Sequence, residues 1–199
     1  MKKSYLILLC LLCAQVLVAQ SVKKLTEKKG FRYIKLGNPA SYYDDFIPIE
    51  KSNDNTAKIY ETSFGLDMIY TGDKYKKIGN TDINYLFLKL HEGKIAEIKI
   101  VCDFDYSLFD TIELVYGKPN YGEYGETKVN IGDMHYYVKT MIWYDFIDNQ
   151  MVLSYKKVPP EFKDKTQSKI ELSFVSVALN RKLSTSEKSQ KRKKADKEF

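Results

Sequence analysis

The sequence predicts an α+β protein in which an antiparallel sheet of hairpins is joined by two short helices. Between residues 31 and 180 apolar and polar residues alternate, which is the pattern of half-buried strands. Short runs of turn-forming residues separate neighbouring alternating stretches, as expected for hairpins. Only two segments replace the alternation with residues that begin and end helices.

The first nineteen residues are predicted to be an export signal. Lys2 and Lys3 precede an apolar run from Tyr5 to Ala19, and the run ends in a small residue. Fifteen helical residues reach roughly 22 Å, too short for a hydrocarbon core of roughly 30 Å. We therefore expect cleavage after Ala19, no transmembrane span in the mature chain, and a periplasmic or secreted location.

Lipid anchoring is not expected, because Leu9 and Leu12, not small residues, precede Cys10 and Cys13. Both cysteines leave with the signal, and the mature chain keeps only Cys102. An intramolecular disulfide is therefore impossible, and packing alone must hold the exported domain together.

Charge divides the mature chain into two parts. Residues 20–180 contain 22 Lys or Arg and 23 Asp or Glu, whereas residues 181–199 contain 8 basic and 3 acidic residues. We interpret 20–180 as a single nearly neutral domain. The basic tail 181–199 has few apolar residues to bury, so we expect it to be disordered or a frayed helix.

The first predicted helix begins at Asn38, a capping residue, with Pro39 in its first turn, and runs to about Phe46 before Pro48 stops it. Asp67–Tyr70 and Tyr75–Ile78 are then predicted to form a small hairpin around Gly72 and Asp73.

The clearest hairpin joins Ile83–Leu90 to Lys94–Cys102 through the turn His91-Glu92-Gly93. A second helix follows, capped by Asp105 and ended by Gly117 and Pro119. Its apolar positions fall on one stripe: Leu108, Phe109, Ile112, Val115 and Tyr116.

A further hairpin pairs His135–Phe146 with Gln150–Lys157 around Asp148 and Asn149, and Lys169–Ala178 forms the last strand. The plan of helix followed by strands thus occurs twice. It favours an internal duplication with repeats 31–102 and 103–180.

Two short motifs carry a resemblance. Ile34-Lys35-Leu36-Gly37-Asn38-Pro39, and Tyr116-Gly117-Lys118-Pro119 before aromatic strands, resemble small exported bacterial proteins built from helix-plus-meander repeats. The β-lactamase inhibitory proteins and the small lipoprotein subunit of the outer-membrane barrel assembly machine share that layout. The resemblance implies a protein that binds other proteins and catalyses nothing; the chain departs from the lipoproteins in lacking an anchoring cysteine.

Nucleophilic and metal chemistry find little support in the sequence. Cys102 could act as a nucleophile with His91 or His135 as base, but it shares the apolar face of its strand and is expected to pack as a small hydrophobe. The two histidines lack the spacing of a zinc site. We predict no metal and no cofactor.

Two loop motifs fail at defining positions. Asp103, Asp105 and Ser107 resemble a calcium loop, but Leu108 and Leu114 replace its glycine and its closing glutamate. The segment 121–127 (YGEYGET) has the glycines of a phosphate cradle, yet it is acidic and follows a helix instead of preceding one. We interpret it as a connector that could also be a recognition loop.

Aromatic residues supply the candidate binding sites. They lie on strand faces opposite or among aliphatic side chains, where exposure would give an interface rich in aromatic side chains and burial would make them core. Two of them belong to the loop 120–133. The predicted binding residues are Tyr85, Phe87, Tyr137, Met141 and Trp143 on the strands, and Tyr121 and Tyr124 in the loop.

Three functions remain open on these grounds. The first is a non-catalytic exported module that binds another envelope or extracellular protein through the aromatic face or the loop 120–133. The second is binding of an anionic polymer or lipid surface by the basic tail. The third is a hydrolase that uses carboxylates such as Asp44, Asp45 or Asp145.

Overall fold

A computed structural model describes residues 24–121, 127–131, 134–157 and 168–198. It confirms the α+β class. The helices are α1 (residues 24–28), α2 (Asn55–Phe64), α3 (Ser107–Tyr116) and α4 (Val177–Glu198). The strands are β1 (Gly30–Phe31), β2 (Ile34–Lys35), β3 (Phe46–Pro48), β4 (Met68–Tyr70), β5 (Lys77–Ile78), β6 (Thr81–His91), β7 (Lys94–Asp103), β8 (Thr127–Ile131), β9 (Met134–Tyr144), β10 (Asn149–Lys157) and β11 (Lys169–Ser176).

Most strands belong to one antiparallel sheet with the order β3-β4-β6-β7-β11-β10-β9-β8, and β5 pairs with β6. Strands β1 and β2 form a separate small hairpin. The strands β7 and β11 therefore lie in the centre, with Ile98 opposite Phe174 and Cys102 opposite Ile170. The sheet reaches its short edge strand β3 on one side and β8 on the other.

The predicted hairpin around His91 is confirmed. His91 pairs with Lys94, and both residues of the connecting turn have positive φ, 51° at Glu92 and 74° at Gly93. Positive φ at both central residues is the geometry of a type I′ turn, whose twist matches that of the flanking strands. Gly93 supplies it without steric cost, whereas Glu92 is held there by the turn.

Three chain reversals meet at one end of the sheet, which we call the turn end. It holds the β6–β7 turn, the loop 145–148 between β9 and β10, and the passage from β11 into α4. Residues 37–40 join it, because Gly37 N donates to Ile95 O at 2.8 Å and Ala40 N donates to Gly93 O at 2.9 Å. These reversals place distant parts of the chain side by side.

The larger core lies on the face of the sheet that α3 covers. Leu108, Ile112 and Tyr116 of α3 point into it, as their spacing predicted, and the segment from α1 to residue 43 covers the rest of this face. Sheet side chains of this core alternate along each strand: Leu86, Leu88, Ile98, Ile100, Cys102, Met141, Trp143, Met151, Leu153, Ile170, Leu172 and Phe174.

Helix α2 covers the opposite face and was not predicted. Asp54 caps it by accepting from Thr56 N and Ala57 N, and Gly65, with φ 62°, ends it. Its apolar stripe is only Ala57, Tyr60 and Phe64, too sparse to stand out in the sequence. Tertiary packing on the sheet, more than its own periodicity, makes this segment a helix.

A buried ion pair lies beneath α2. Lys99 Nζ is 2.8 Å from Glu171 Oε2 and lies 4.4 Å from the centre of the Phe64 ring, while Tyr60 donates a long hydrogen bond to Glu171. Burial and the neighbouring Glu171 raise the pKa of Tyr60 to about 12. The two charges of this pair therefore neutralise each other, as their burial requires.

The predicted helix 38–46 is wrong. Only one 3₁₀ turn, Ala40–Tyr42, forms there, and Pro39 has the extended ψ of 136°. Residues 37–40 instead hydrogen-bond to the start of β7, and Phe46 opens β3 opposite Tyr70. Pairing with the sheet thus outweighs the local capping signal.

The predicted hairpin of 67–70 with 75–78 is also wrong. Strand β4 pairs with β3 and β6, and β5 pairs with the start of β6. The glycine that turns the chain between β5 and β6 is Gly79, with φ 59°. Gly72 lies against the Tyr70 hydroxyl and Asp45, where a side chain would clash.

The duplication with repeats 31–102 and 103–180 stays a prediction. From each edge of the sheet inward the strands follow chain order, β3-β4-β6-β7 on one side and β8-β9-β10-β11 on the other, and the two sets meet at the antiparallel pair β7 and β11. Helix α3 precedes β8, and the segment that precedes β3 packs into the same core as α3. Helix α2 is inserted between β3 and β4 and has no counterpart between β8 and β9, which only two residues separate.

The tail interpreted as disordered or a frayed helix lies within α4, a helix of 22 residues. Its first turn is capped from the sheet: Ala178 N donates to Asp148 Oδ1 at 2.7 Å, and Leu179 N donates to Ser176 Oγ at 3.3 Å. The composition of the tail could not predict these capping hydrogen bonds, because Asp148 and Ser176 lie outside the tail. Among the described helices, α4 included, none is both long and apolar enough to cross a membrane.

Substitutions at two glycines distinguish the free-energy cost of backbone strain from the cost of steric overlap. Gly30 has φ 145°, and a Cβ there would overlap the Ile34 carbonyl oxygen; Gly37 has φ 82° and open space around it. We expect Gly37→Ala to lower the free energy of unfolding by about 1 kcal/mol through strain alone. Gly30→Ala should cost at least ~3 kcal/mol because backbone must also move. Chemical denaturation of both variants tests this; equal costs would contradict the overlap.

Candidate binding surface

Three of the predicted binding residues are buried, and this corrects the prediction. Phe87 has no exposed surface, Trp143 retains 2% and Met141 retains 5%. Phe87 packs beneath Tyr60 of α2 with ring centres 5.1 Å apart. Trp143 lies in the main core, and its Nε1 donates to Gly117 O, just after α3, at 2.9 Å. These side chains are core and cannot meet a partner.

The other predicted residues divide differently. Tyr85 and Tyr137 are half-buried, and Tyr85 contacts Phe87 and Tyr60 under α2. Tyr121 is 54% exposed. Tyr124 lies outside the described residues. Among the six predicted positions that the structure describes, Tyr121 is therefore the one whose side chain is largely exposed.

Tyr121 belongs to an exposed cluster that we call the tip cluster, formed by Tyr121, Tyr144, Phe146 and Ile147. The ring centres of Tyr121 and Tyr144 are 5.9 Å apart, and those of Tyr144 and Phe146 are 5.0 Å apart. Phe146 and Ile147 are 59% and 76% exposed. Large apolar side chains at such exposure next to one another are typical of interaction sites.

Asn120 holds Tyr121 beside β9. Its side-chain amide donates to Tyr144 O at 2.9 Å and its Oδ1 accepts from Tyr144 N at 2.8 Å, so the side chain replaces a strand partner. The amides of Asn120 and Tyr121 both donate to Ile142 O. This pairing fixes the start of the predicted recognition loop at the sheet edge.

Asp145 builds the loop that carries Phe146 and Ile147. One carboxylate oxygen accepts from the backbone amides of Ile147, Asp148 and Asn149 at 2.9–3.0 Å. The other accepts from the Asn149 side chain and from Thr26 Oγ1 of α1. Burial opposes the charge of Asp145, but these hydrogen bonds outweigh it and hold the pKa of the carboxyl below its usual range.

Phe146 has φ 60°, an uncommon left-handed conformation for a bulky residue. The surrounding hydrogen bonds of Asp145 hold it there. Strain of about 1–3 kcal/mol that is held in place at an exposed side chain is a feature of functional sites. The loop therefore presents Phe146 and Ile147 in a fixed geometry instead of a mobile one.

The sheet surface beside the tip cluster is not part of either core cluster. We call it the open face: Thr140, Ile142 and Tyr144 of β9, and Val152 and Ser154 of β10. Ile142 lies opposite Val152, and both are half-buried. The Thr140 and Ser154 hydroxyls lie 3.1 Å apart. The open face continues the apolar surface from the tip into the sheet.

Tyr144, Phe146 and Ile147 were missed as binding residues. A signal was present, because the turn between the predicted strands reads Asp145-Phe146-Ile147-Asp148, and an apolar pair is unusual where a hairpin reverses in solvent. The alternation continues to Phe146, so the sequence assigns this residue to the strand and the signal is concealed. The exposed apolar side chains Phe146 and Ile147 lie at the end of the hairpin and not on a strand face.

The structure places Cys102 as a small hydrophobe. It is 1% exposed in the main core, and burial raises the pKa of its thiol to about 12. His91 lies in the turn at the end of β6, while Cys102 lies near the opposite end of β7. His135 is in β9 opposite Asn130, and two strands, β11 and β10, lie between β7 and β9. The nucleophile and its predicted bases are not brought together.

The acidic residues occupy separate positions. Asp105 accepts from Ser107 N, Ser107 Oγ and Thr81 Oγ1 and so caps α3, as predicted. Asp44 and Asp45 precede β3 at the end of the sheet away from Asp145. Within the part of the chain that the structure describes, no three His, Cys, Asp or Glu side chains are grouped so as to hold a metal ion.

Comparison of the chain with protein-family models gives no match, and comparison with curated proteins gives none either.

Replacing Asp145 tests how the tip loop is held. Because its pKa is lowered in the folded protein, its contribution is complete above the unfolded carboxyl pKa of about 3.9 and is lost as the pH falls through the lower folded value. We expect Asp145→Asn to reduce the free energy of unfolding at pH 7 by about 1–3 kcal/mol, with the difference shrinking below pH ~4. Asp44→Asn, at an exposed position, should change little at any pH.

Cys102 gives a second test. With its thiol buried and its pKa raised to about 12, native protein should react with an aromatic disulfide reagent at pH 8 at least ~100-fold more slowly than unfolded protein. Comparable rates for native and unfolded protein would mean that β7 is accessible and would contradict its burial.

Proposed function

We propose that the mature protein is an exported, non-catalytic module that binds another protein of the cell envelope or extracellular space. The binding surface of this proposal is the tip cluster together with the open face. The observation that carries the proposal is the fixed presentation of exposed aromatic side chains by a loop whose amides are bound by Asp145.

Preorganisation supports this role. A loop that is already held in its bound geometry loses little conformational freedom on association. Aromatic side chains with few rotatable bonds are the commonest energetic anchors of protein interfaces. Tyr121 and Tyr144 also carry hydroxyls that can hydrogen-bond at an interface that excludes water from the rings.

The open face supplies the area around these anchors. Ile142 and Val152 give an apolar centre, and Thr140 and Ser154 give a polar margin. An apolar centre with a polar rim is the usual composition of a specific interface. The catalytic alternative lacks comparable support, because Asp145 lies several strands away from the adjacent pair Asp44 and Asp45, and both of its oxygens accept hydrogen bonds within its own loop.

The double variant Tyr121→Ser with Tyr144→Ser tests the proposal in a quantitative crosslinking capture from the native envelope. Loss of two anchors should weaken the captured complex by at least ~30-fold, since a single such residue contributes about 2 kcal/mol or more. The matched control is Tyr33→Ser with Tyr42→Ser, which removes two tyrosines that are 71% and 70% exposed elsewhere.

The control should capture the same protein as the unaltered chain. Capture that is equal for both double variants, or the absence of any specific captured protein, would contradict this function.

A further inference from the structure

The turn end collects positive charge from three separate parts of the chain. Five exposed cations lie there, with Glu27 and Glu92 as the exposed carboxylates described at the same end. The cations are Lys24 and Lys28 of α1, Lys94 after the β6–β7 turn, and Arg181 and Lys182 of α4. Their convergence is a product of the fold and is invisible in the sequence.

The position of α1 is set by Thr26, whose hydroxyl donates to Asp145 in the loop 145–148. Lys28 lies beside Lys35, and their hydrogen bond joins the Lys35 ammonium to the Lys28 carbonyl. Burial and then the charge of Lys28 lower the pKa of Lys35. Positive charge is thus crowded on this side of the molecule.

A groove of about 660 Å³ lies between the β6–β7 turn and α4. Its lining combines cations with hydroxyls, and His91 and Glu92 form its other wall. The lining residues from α4 are Arg181, Lys182, Thr185, Ser186 and Ser189. Cationic and hydroxyl donors side by side suit a phosphate group.

Helix α4 extends the same charge beyond the groove. At about 1.5 Å per residue its 22 residues span roughly 33 Å. The segment 181–199 carries eight basic and three acidic residues, a net charge of +5. Asp148 and Ser176 cap the helix, so this charge starts from a fixed point at the turn end.

Two apolar side chains protrude amid these cations. Phe146 and Ile147 occupy the loop whose next residue, Asp148, accepts from Val177 N at the start of α4. We propose that the turn end docks on an anionic lipid membrane, with Phe146 and Ile147 entering the headgroup layer while Lys24, Lys28, Lys94, Arg181 and Lys182 bind lipid phosphates.

A lipid surface fits these features better than another polyanion does. Ile147 is 76% exposed and has no ring on which a nucleic-acid base could stack. Exposed apolar side chains beside cations fit a fluid anionic headgroup layer, which accepts them without a preformed pocket. Docking in this way shares Phe146 and Ile147 of the tip cluster with the proposed protein-binding surface and leaves the open face available, and the vesicle test needs no protein partner, so the two proposals can fail separately.

Vesicle sedimentation tests the inference. The full chain is used, and mass spectrometry verifies that every variant begins at the same N-terminal residue. We expect binding to vesicles of about one third phosphatidylserine in phosphatidylcholine, little binding to phosphatidylcholine alone, and loss of binding in about 0.5 M salt. Each cation removed should weaken binding about fivefold, so Arg181→Ser with Lys182→Ser should weaken it about 25-fold. Ile147→Ser should weaken it about tenfold.

The controls alter the same residue types away from the turn end. Ile59→Ser replaces an aliphatic side chain that is 63% exposed on α2, and Lys76→Ser with Lys77→Ser removes two exposed cations beside the start of β6, at the opposite end of that strand from the turn end. Both should bind as the unaltered chain does, and thermal unfolding checks that every variant is folded.

Three outcomes would overturn the inference. The first is equal binding to both vesicle types, and the second is loss of binding by the controls. The third is binding of short duplex DNA or polyglutamate that displaces the vesicles and is insensitive to Ile147→Ser, which would assign the turn end to a soluble polyanion.

Discussion

The carboxylate of Asp145 is the contact on which the turn end of the molecule depends. It accepts hydrogen bonds from its own loop, from Asn149 and from Thr26, and so joins the β9–β10 hairpin to the N-terminal helix. Three residues later, Asp148 caps α4. Two acidic side chains in one four-residue loop therefore set the positions of both helices that flank the sheet at the turn end. Local hydrogen bonding of Asp to nearby amides is ordinary turn chemistry, but here the same groups also reach across more than a hundred residues of sequence.

The sheet imposes a second constraint, because its central strands are covered on both faces. Ile98, Ile100 and Cys102 face the core under α3, and Lys99 and Val101 face α2. A strand covered on both faces has no free surface for a ligand. Toward β9 and β10 the cover under α2 ends, and the same face becomes accessible at Ile142 and Val152. The extent of α2 thus determines which strands have an accessible face. This is the reason that the proposed binding surface lies on β9 and β10.

Sequence reasoning succeeded where local signals and the final fold agree. The β6–β7 and β9–β10 hairpins, the last strand and α3 all follow from alternation, turn residues and a strong apolar stripe. It failed where tertiary contacts decide the outcome. Residues 38–40 pair with the β6–β7 hairpin and Phe46 pairs with β4 in place of the predicted helix, and α2 has little periodicity of its own. The binding residues show the same division. Alternation correctly placed Tyr137, Met141 and Trp143 on one face, but it could not say that α3 covers that face. Whether a strand face is exposed depends on the layer that packs against it. The alternation in the sequence shows only that the two faces of a strand differ in polarity.

The two edges of the sheet differ in a way that bears on aggregation. Strand β3 has three residues, and one of them is Pro48, which lacks the amide that an incoming strand would need. A short edge interrupted by proline is a poor template for another chain. Strand β8, at the far edge, has five residues and no proline. Another chain can therefore add a strand more easily at β8 than at β3. A sheet that continues through many copies needs both edges of each copy, and the three residues of β3 block that continuation.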